Sequence, residues 1–253
     1  MPKLRLLPAL LALAAACSGK PPEPTGPPAG AKRVDASKAG NVAGRVLLDG
    51  PVPDNPPIQM TADPYCERVH PGGASLENVV VANGGLENVF VYVKDGLGNY
   101  YFEVPSEPAK LDQAGCRYVP HVLGVRVGQP LEIGNSDDTL HTVHAMGKVN
   151  PDFNLSQAMR KITNTRTFKA REVMIPFKCE VHNWMHAYVG VLDHPYYAVT
   201  DKDGQFELKS LPPGTYTIEA WHEKLGVQEM KVTLGAKETK DANFTFKATG
   251  TTN

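Results

Sequence analysis

The chain is short of several things that would assign it quickly. Of its 253 residues only four are cysteine and two tryptophan, and neither sign of charge predominates: 26 Lys+Arg against 27 Asp+Glu leave a formal net charge of −1. That balance gives no case for the basic footprint that displaces counterions from phosphates, so nucleic acid is not an expected partner. The N-terminal apolar run, Leu6 to Ala16, is interrupted by Pro8 and is too short to cross a bilayer as a helix. There is no G-x-S-x-G elbow, Walker A loop, H-E-x-x-H pair or C-x-x-C-H haem attachment. No catalytic residues are expected.

What is present points to β structure. Gly (23) and Pro (22) are plentiful beside 42% hydrophobic residues, the composition of a turn-rich β protein with a real core. Lys3 and Arg5 ahead of the apolar run read as a secretory signal. Leu13-Ala14-Ala15-Ala16-Cys17 resembles the lipobox of bacterial lipoproteins, which implies a signal peptide over 1–17 and a lipid on Cys17. Ser18 resembles the outer-membrane sorting pattern. The resemblance implies an exported, periplasmic or cell-surface lipoprotein whose membrane contact is its lipid anchor. Residues 18–40, rich in Pro, Gly and Ala, read as a flexible tether, semi-rigid where the prolines impose an extended helix.

Strand periodicity fills most of the remainder. Val42, Gly44, Val46 and Leu48 alternate before the turn Asp49-Gly50-Pro51. Val89, Val91 and Val93 alternate with Phe90 and Tyr92, the pattern of a strand covered on both faces. Leu76–Val81 nearly repeats as Leu86–Val91 around Asn83-Gly84-Gly85, which reads as a hairpin. Val122 to Ile133 reads as a strand pair turning at Gly128-Gln129-Pro130. Asp152 to Ala170 is the least strand-like stretch and is expected to be a loop with a short helix. Asp201-x-Asp203-Gly204 reads as a turn rather than a calcium loop, because the later ligand positions hold Pro212 and Pro213.

Cys179-Glu180-Val181-His182-Asn183-Trp184-Met185 sets a thiolate, an imidazole and a thioether at C-x-x-H-x-x-M spacing, three donors of a blue-copper site. A second histidine must come from elsewhere, and Asn135-Ser136-Asp137-Asp138-Thr139-Leu140-His141-Thr142-Val143-His144 offers one. On a strand His144 points opposite to His141. His141 is therefore favoured, with His144 an alternative. His186 beside Met185 is an alternative fourth ligand with a zinc flavour, and His121 is a further candidate. His70, His194 and His222 read as surface or core-edge residues, and Met146, Met159, Met174 and Met230 as core filling. With Cys17 and Cys179 assigned, Cys66 and Cys116 form an even pair. A disulfide is the default in an oxidising compartment, and free thiols or a second metal site with His70 and His121 are the alternatives.

Val125–Asn135 leading to His141, followed by Cys179-x-x-His182-x-x-Met185, resembles the cupredoxins, most closely the amicyanins with their short ligand loop. The resemblance implies a Greek-key β-sandwich holding one type 1 copper ion. His141 and His182 would be equatorial ligands, Cys179 the thiolate and Met185 the weak axial ligand. His182 would be the near-surface exit for electrons, and Trp184 part of a docking patch. It implies an electron carrier rather than an enzyme, serving a redox protein partner such as a cytochrome or oxidoreductase. One departure stands out: the Asn that commonly follows the first histidine is Thr142 here, which leaves the usual loop-to-loop hydrogen bond and the rigidity of the site open. A copper storage or delivery protein is the second functional expectation, and a structural or carbohydrate-binding lipoprotein with a vestigial cupredoxin the third.

His194–Phe206 and Leu211-Pro212-Pro213-Gly214-Thr215-Tyr216 resemble the carboxypeptidase regulatory-like, or transthyretin-like, β-sandwich. The expected class is therefore all-β with two modules. One arrangement splits that sandwich into 41–108 and 195–248 around a cupredoxin at 109–194. The other sets the modules in tandem. A glycan contact through the sandwich is a further expectation, resting on fold alone.

Overall fold

The computed structural model describes residues 27–248, so the expected signal peptide, Cys17 and the first part of the expected tether lie outside the described residues. The chain opens with β1 (Gly40–Asp49), the short helix α1 (Pro64–Val69), β2 (Val81–Ala82), β3 (Gly85–Leu86) and β4 (Phe90–Asp95). Next come β5 (Ala109–Gln113), β6 (Tyr118–Val119), β7 (Val122–Arg126), β8 (Pro130–Asn135) and β9 (His141–Ala145). Then follow β10 (Phe153–Gln157), β11 (Thr163–Thr167), β12 (Glu172–Lys178) and β13 (His186–Leu192). The last six are β14 (Tyr197–Val199), β15 (Gln205–Leu211), β16 (Gly214–His222), β17 (Gly226–Leu234), β18 (Thr239–Asp241) and β19 (Phe244–Lys247).

These strands make two sandwiches. In the first, the sheet β10-β9-β12-β13-β7 covers β11-β8-β5-β6. Its core interleaves Leu131 and Ile133 of β8 with Val143, Phe177 and Val189 from the opposite sheet. In the second, β15-β1-β3-β2, with β18 and β19 also paired to β1, covers β14-β4-β16-β17. Strands β1 to β4 pair only with one another or with β14 to β19, so the second sandwich is built from two separate stretches of chain.

Strand β4 joins the two. Val91 and Val93 face the core of the second sandwich, while Phe90 and Tyr92 turn the other way. There they cluster with Val122, Met174 and Leu192 of the first sandwich, flanked by Tyr188, Tyr197 and Trp221. The uninterrupted hydrophobic run of β4 is thus a strand buried on both faces. Two glycines let the sandwiches close. A Cβ on Gly190 would lie 2.5 Å from the Phe90 ring, and one on Gly124 2.0 Å from the Tyr197 ring.

Several expectations need correction. Residues 153–157 and 163–167 are strands, not a loop with a helix. Phe153 and Leu155 do alternate inward, but polar Gln157 and the edge strand Thr163–Thr167 hide the period. Asn83-Gly84 does turn a hairpin, with φ of 52° and 76°, yet its arms β2 and β3 are only two residues each. Strand β4 instead pairs with β14 and β16. Strands β7 and β8 lie in opposite sheets, so the turn at 128–130 is a crossover between layers rather than a hairpin. The end of the tether is docked: Lys32 N–H donates to Asn99 O (2.8 Å) and Tyr101 N–H to Lys32 O (2.9 Å).

Candidate metal centre

The C-x-x-H-x-x-M segment is the loop between β12 and β13. It closes on itself: Cys179 N–H donates to Met185 O (3.1 Å) and Met185 N–H to His182 O (3.0 Å). The sheet holds both loop ends together, so all three side chains turn inward. Strand β9 brings His141 from beside it. His141, Cys179, His182 and Met185 are all 3% exposed or less.

Nδ1 of His141 lies 3.0 Å from Nδ1 of His182, and Cys179 Sγ lies 3.9 Å from the latter. One ligand atom from each of the three residues falls within 4.8 Å of the others. The outer ring nitrogens are committed elsewhere. His141 Nε2 lies 3.0 Å from Asp137 Oδ2, and His182 Nε2 3.0 Å from Asp63 Oδ2. A carboxylate only accepts hydrogen bonds, so each Nε2 carries the proton and each Nδ1 presents a lone pair inward. Two lone pairs cannot face each other at 3.0 Å without a cation between them. The residues therefore fit a metal ion bound through two imidazoles and a thiolate, each imidazole oriented by a carboxylate behind it.

Electrostatics of the metal-free chain agree. Burial alone would raise Asp137, but hydrogen bonds from His141 and from the Cys116 and Gly115 amides hold it below the usual carboxylate range. Burial would likewise raise Asp63; the Thr139 hydroxyl, the Cys66 amide, His182 and the Tyr65 amide outweigh it. Burial would lower His141, yet Asp137 and the Cys179 sulfur hold it up to about 9. Burial would raise the Cys179 thiol, but His141, His182 and the Thr142 amide hold it down to about 5. Without metal, a proton occupies the place a cation would take, beside a thiolate.

Thr142 does more than the missing Asn led one to expect. Its N–H donates to Cys179 Sγ (3.3 Å), and its hydroxyl accepts from Glu180 N–H (2.6 Å). The bond between the two ligand segments is therefore kept, supplied by a hydroxyl. Cys66 and Cys116 form a disulfide across 50 residues. It ties α1 to the β5–β6 turn and sets Cys66 Sγ 3.8 Å from His182 Nε2. Asp63, the cap of α1, reaches His182 from the same segment. This cover corrects the expectation of a near-surface His182, which is 2% exposed. Trp184 is half-buried, its indole N–H donating to Cys116 O (3.0 Å) and its ring beside His182.

The alternative ligands point elsewhere. His144 lies on the outer face of β9 between Glu180 and Asp152. His186 turns away from Cys179 toward Glu223, where it meets His121. His70 is bonded to Gly115 O (2.7 Å). His194 and His222 are buried, not at the surface; burial lowers each to about 4, and each Nδ1 accepts backbone N–H groups. Met159 is exposed, so core filling does not describe it. Sequence reasoning missed Asp63, whose one signal is the Asp-Pro start of a helix. Asp137 stands four residues before His141, but spacing alone assigns it no role.

Residues 186–247 match the model of the carboxypeptidase regulatory-like domain. The match reaches back into β13, which lies in the first sandwich. No curated protein matches the sequence. Among solved structures, a reduced Cu(I) form of an amicyanin variant is 25% identical over 35% of this chain and 86% of its own, with a TM-score of 0.30. A copper-containing nitrite reductase from Thermus scotoductus SA-01 is 21% identical over 37% of this chain, with a TM-score of 0.31. The matched region spans about a quarter (24%) of that reductase. A purple cupredoxin from Nitrosopumilus maritimus is 18% identical over 33% of this chain and 98% of its own, with a TM-score of 0.28. The chain is all-β, carries a segment similar to the carboxypeptidase regulatory-like domain, and has cupredoxins as weak structural neighbours.

Proposed function

We propose that this protein holds one type 1 copper ion and carries single electrons between protein partners at the cell envelope. The observation that carries this reading is the buried meeting of His141 Nδ1, His182 Nδ1 and Cys179 Sγ, with both imidazoles fixed from behind. Those three residues would hold the ion, and Met185, buried in the same apolar cluster, would be the weak axial ligand. His186 is engaged with Glu223 and does not compete. Thiolate and imidazole donors suit copper, which when bound supplies a couple between Cu(II) and Cu(I).

The surrounding residues keep the geometry fixed. Asp137 and Asp63 set both rings, and Thr142 locks Cys179 to β9. Little reorganisation then opposes transfer. Leu140, just before His141, and Val181, just before His182, are exposed and would offer apolar contact to a cytochrome or oxidoreductase. Such a partner, the lipid anchor on Cys17 and export belong to the same proposal. Storage or delivery is the second reading, but it needs ligands that an incoming ion can reach, and these are buried. The same complete donor set disfavours a vestigial, glycan-binding module.

Titration with Cu(II), followed by visible absorption and EPR, tests the reading. One equivalent is expected to give an intense thiolate-to-copper band and a narrow parallel hyperfine splitting, both lost in Cys179→Ala. Stoichiometric uptake with no such band and slow electron exchange would transfer the case to copper handling. Failure to bind copper stoichiometrically would sink both.

A further inference from the structure

We infer that His121, His186 and Glu223 form a second metal site, for a divalent cation favouring imidazole and carboxylate, Zn(II) foremost, at the seam between the two sandwiches. His121 precedes β7 and His186 begins β13, both in the first sandwich, whereas Glu223 follows β16 in the second. One ligand atom from each lies within 4.8 Å of the others. His121 Nε2 is 2.5 Å from Glu223 Oε1, and His186 Nε2 is 3.5 Å from Glu223 Oε2.

The hydrogen bonds behind the rings decide what these nitrogens offer. His121 Nδ1 lies 3.1 Å from His186 O, and His186 Nδ1 lies 3.1 Å from Trp184 O. Carbonyls only accept, so both Nδ1 atoms carry the hydrogens. In the neutral rings both Nε2 atoms are then lone pairs aimed at a carboxylate. Lone pairs and carboxylate oxygens repel unless they share a cation. His186 Nε2 is buried and has no hydrogen-bond partner. Glu223, with its side chain 3% exposed, is steadied at Oε2 by the Tyr188 hydroxyl (3.2 Å). Lys224 Nζ lies 3.5 Å from the same oxygen with its side chain 46% exposed, so a bound cation would have to displace it toward solvent.

Two imidazoles and one carboxylate are a sufficient zinc donor set, with water in the fourth position. A small cleft lined by His121, His186, Trp184, Arg117 and Glu77 opens beside the two imidazoles. The site shares no ligand with the copper centre, although Met185 and His186 are consecutive. A bound ion would draw ligands from both sandwiches and tie them together.

The experiment uses the protein in four forms: unchanged, Cys179→Ser, and Glu223→Gln in each of those two backgrounds. Co(II) serves as the spectroscopic probe and Zn(II) as the competitor. In Cys179→Ser one equivalent of Co(II) is expected to give weak visible bands without thiolate charge transfer, displaced by Zn(II). Glu223→Gln should weaken binding at least tenfold while leaving near-UV circular dichroism unchanged. If Cys179→Ser does not fold, the unchanged protein gives the same answer: two equivalents, one without a thiolate band, falling to one with Glu223→Gln. Binding of none at this site, or binding indifferent to Glu223→Gln, overturns the inference and leaves a protonated His–Glu cluster. A missing thiolate band in the unchanged protein would strike the copper reading alone.

Discussion

The two sandwiches have the same two-layer plan but bury different things. The second closes on Val42, Val46, Leu208, Ile218, Phe244 and their neighbours, an apolar core with Thr200 as an internal strut. The first closes at one end on Gln113, Asn135, Asp137, His141, Gln157 and His182. Burying polar groups is costly unless each finds a partner. Here they partner one another: Asn135 holds Asp137, Asp137 holds His141, and Gln157 bridges Gln113 and Asn164. The first sandwich gathers its buried polar groups into one preorganised end, whereas the second is packed mainly with apolar side chains and scatters its buried polar ones, Thr200, Glu219 and His222.

Four substitutions or conditions can break or sharpen that contrast. The largest expected effect is on the supporting side. Leu208→Ala should cost about 3 kcal/mol of unfolding free energy, as buried Leu truncations do, and leave the copper spectrum unchanged. Denaturant melts read beside absorption would show it, and a shifted spectrum would deny the division of labour. Gly190→Ala comes next, since its methyl would press on Phe90. Overpacking there should cost about 2 kcal/mol and split one unfolding transition into two. A single unshifted transition would mean that the seam is not tightly packed.

Asp63→Asn keeps a residue able to cap α1 but removes the charge behind His182. Copper affinity should fall about tenfold, measured by competition with a chelator, with little change in melting. A further effect is in pH. Cys179, held at about 5, contributes stability that is lost as pH falls through that value; His141, held at about 9, contributes stability that is lost as pH rises toward it. Between the ordinary histidine value near 6.5 and 9 the two trends cancel. The metal-free protein should therefore gain stability from pH 5 to about 6.5 and then stay level. Thiolate absorbance in the ultraviolet should titrate near 5, and a midpoint near the free-thiol value would refute the pairing.

Much of this was legible in the chain. The C-x-x-H-x-x-M loop, the upstream His141 and the even pair Cys66 and Cys116 are local or arithmetic signals, and the structure brings them to one place. Alternating valines gave β1 and β4. What stayed hidden was set by contacts distant in sequence. Asp63 lies 119 positions from His182, and nothing near either residue announces the other. Thr142 could replace Asn because a hydroxyl at that height on β9 reaches the same amide, which spacing does not reveal. His186 and His121 drew attention as rivals for one ion; only the turn after β16, arriving from the other sandwich, shows that they serve Glu223. Strand β11 was lost because an edge strand facing solvent carries no hydrophobic rhythm.

The disulfide between Cys66 and Cys116 imposes an order of events. Asp63 reaches His182 from a segment whose one covalent tie to the first sandwich is that bond. In a reducing compartment the tie is open, and Asp63 is left to weaker holds: the Thr139 hydroxyl on its own carboxylate and the Tyr65 hydroxyl on Asp137. Oxidation thus completes the frame of the metal centre, and a chain met by copper before the bond forms offers it a looser set of ligands than one met afterwards.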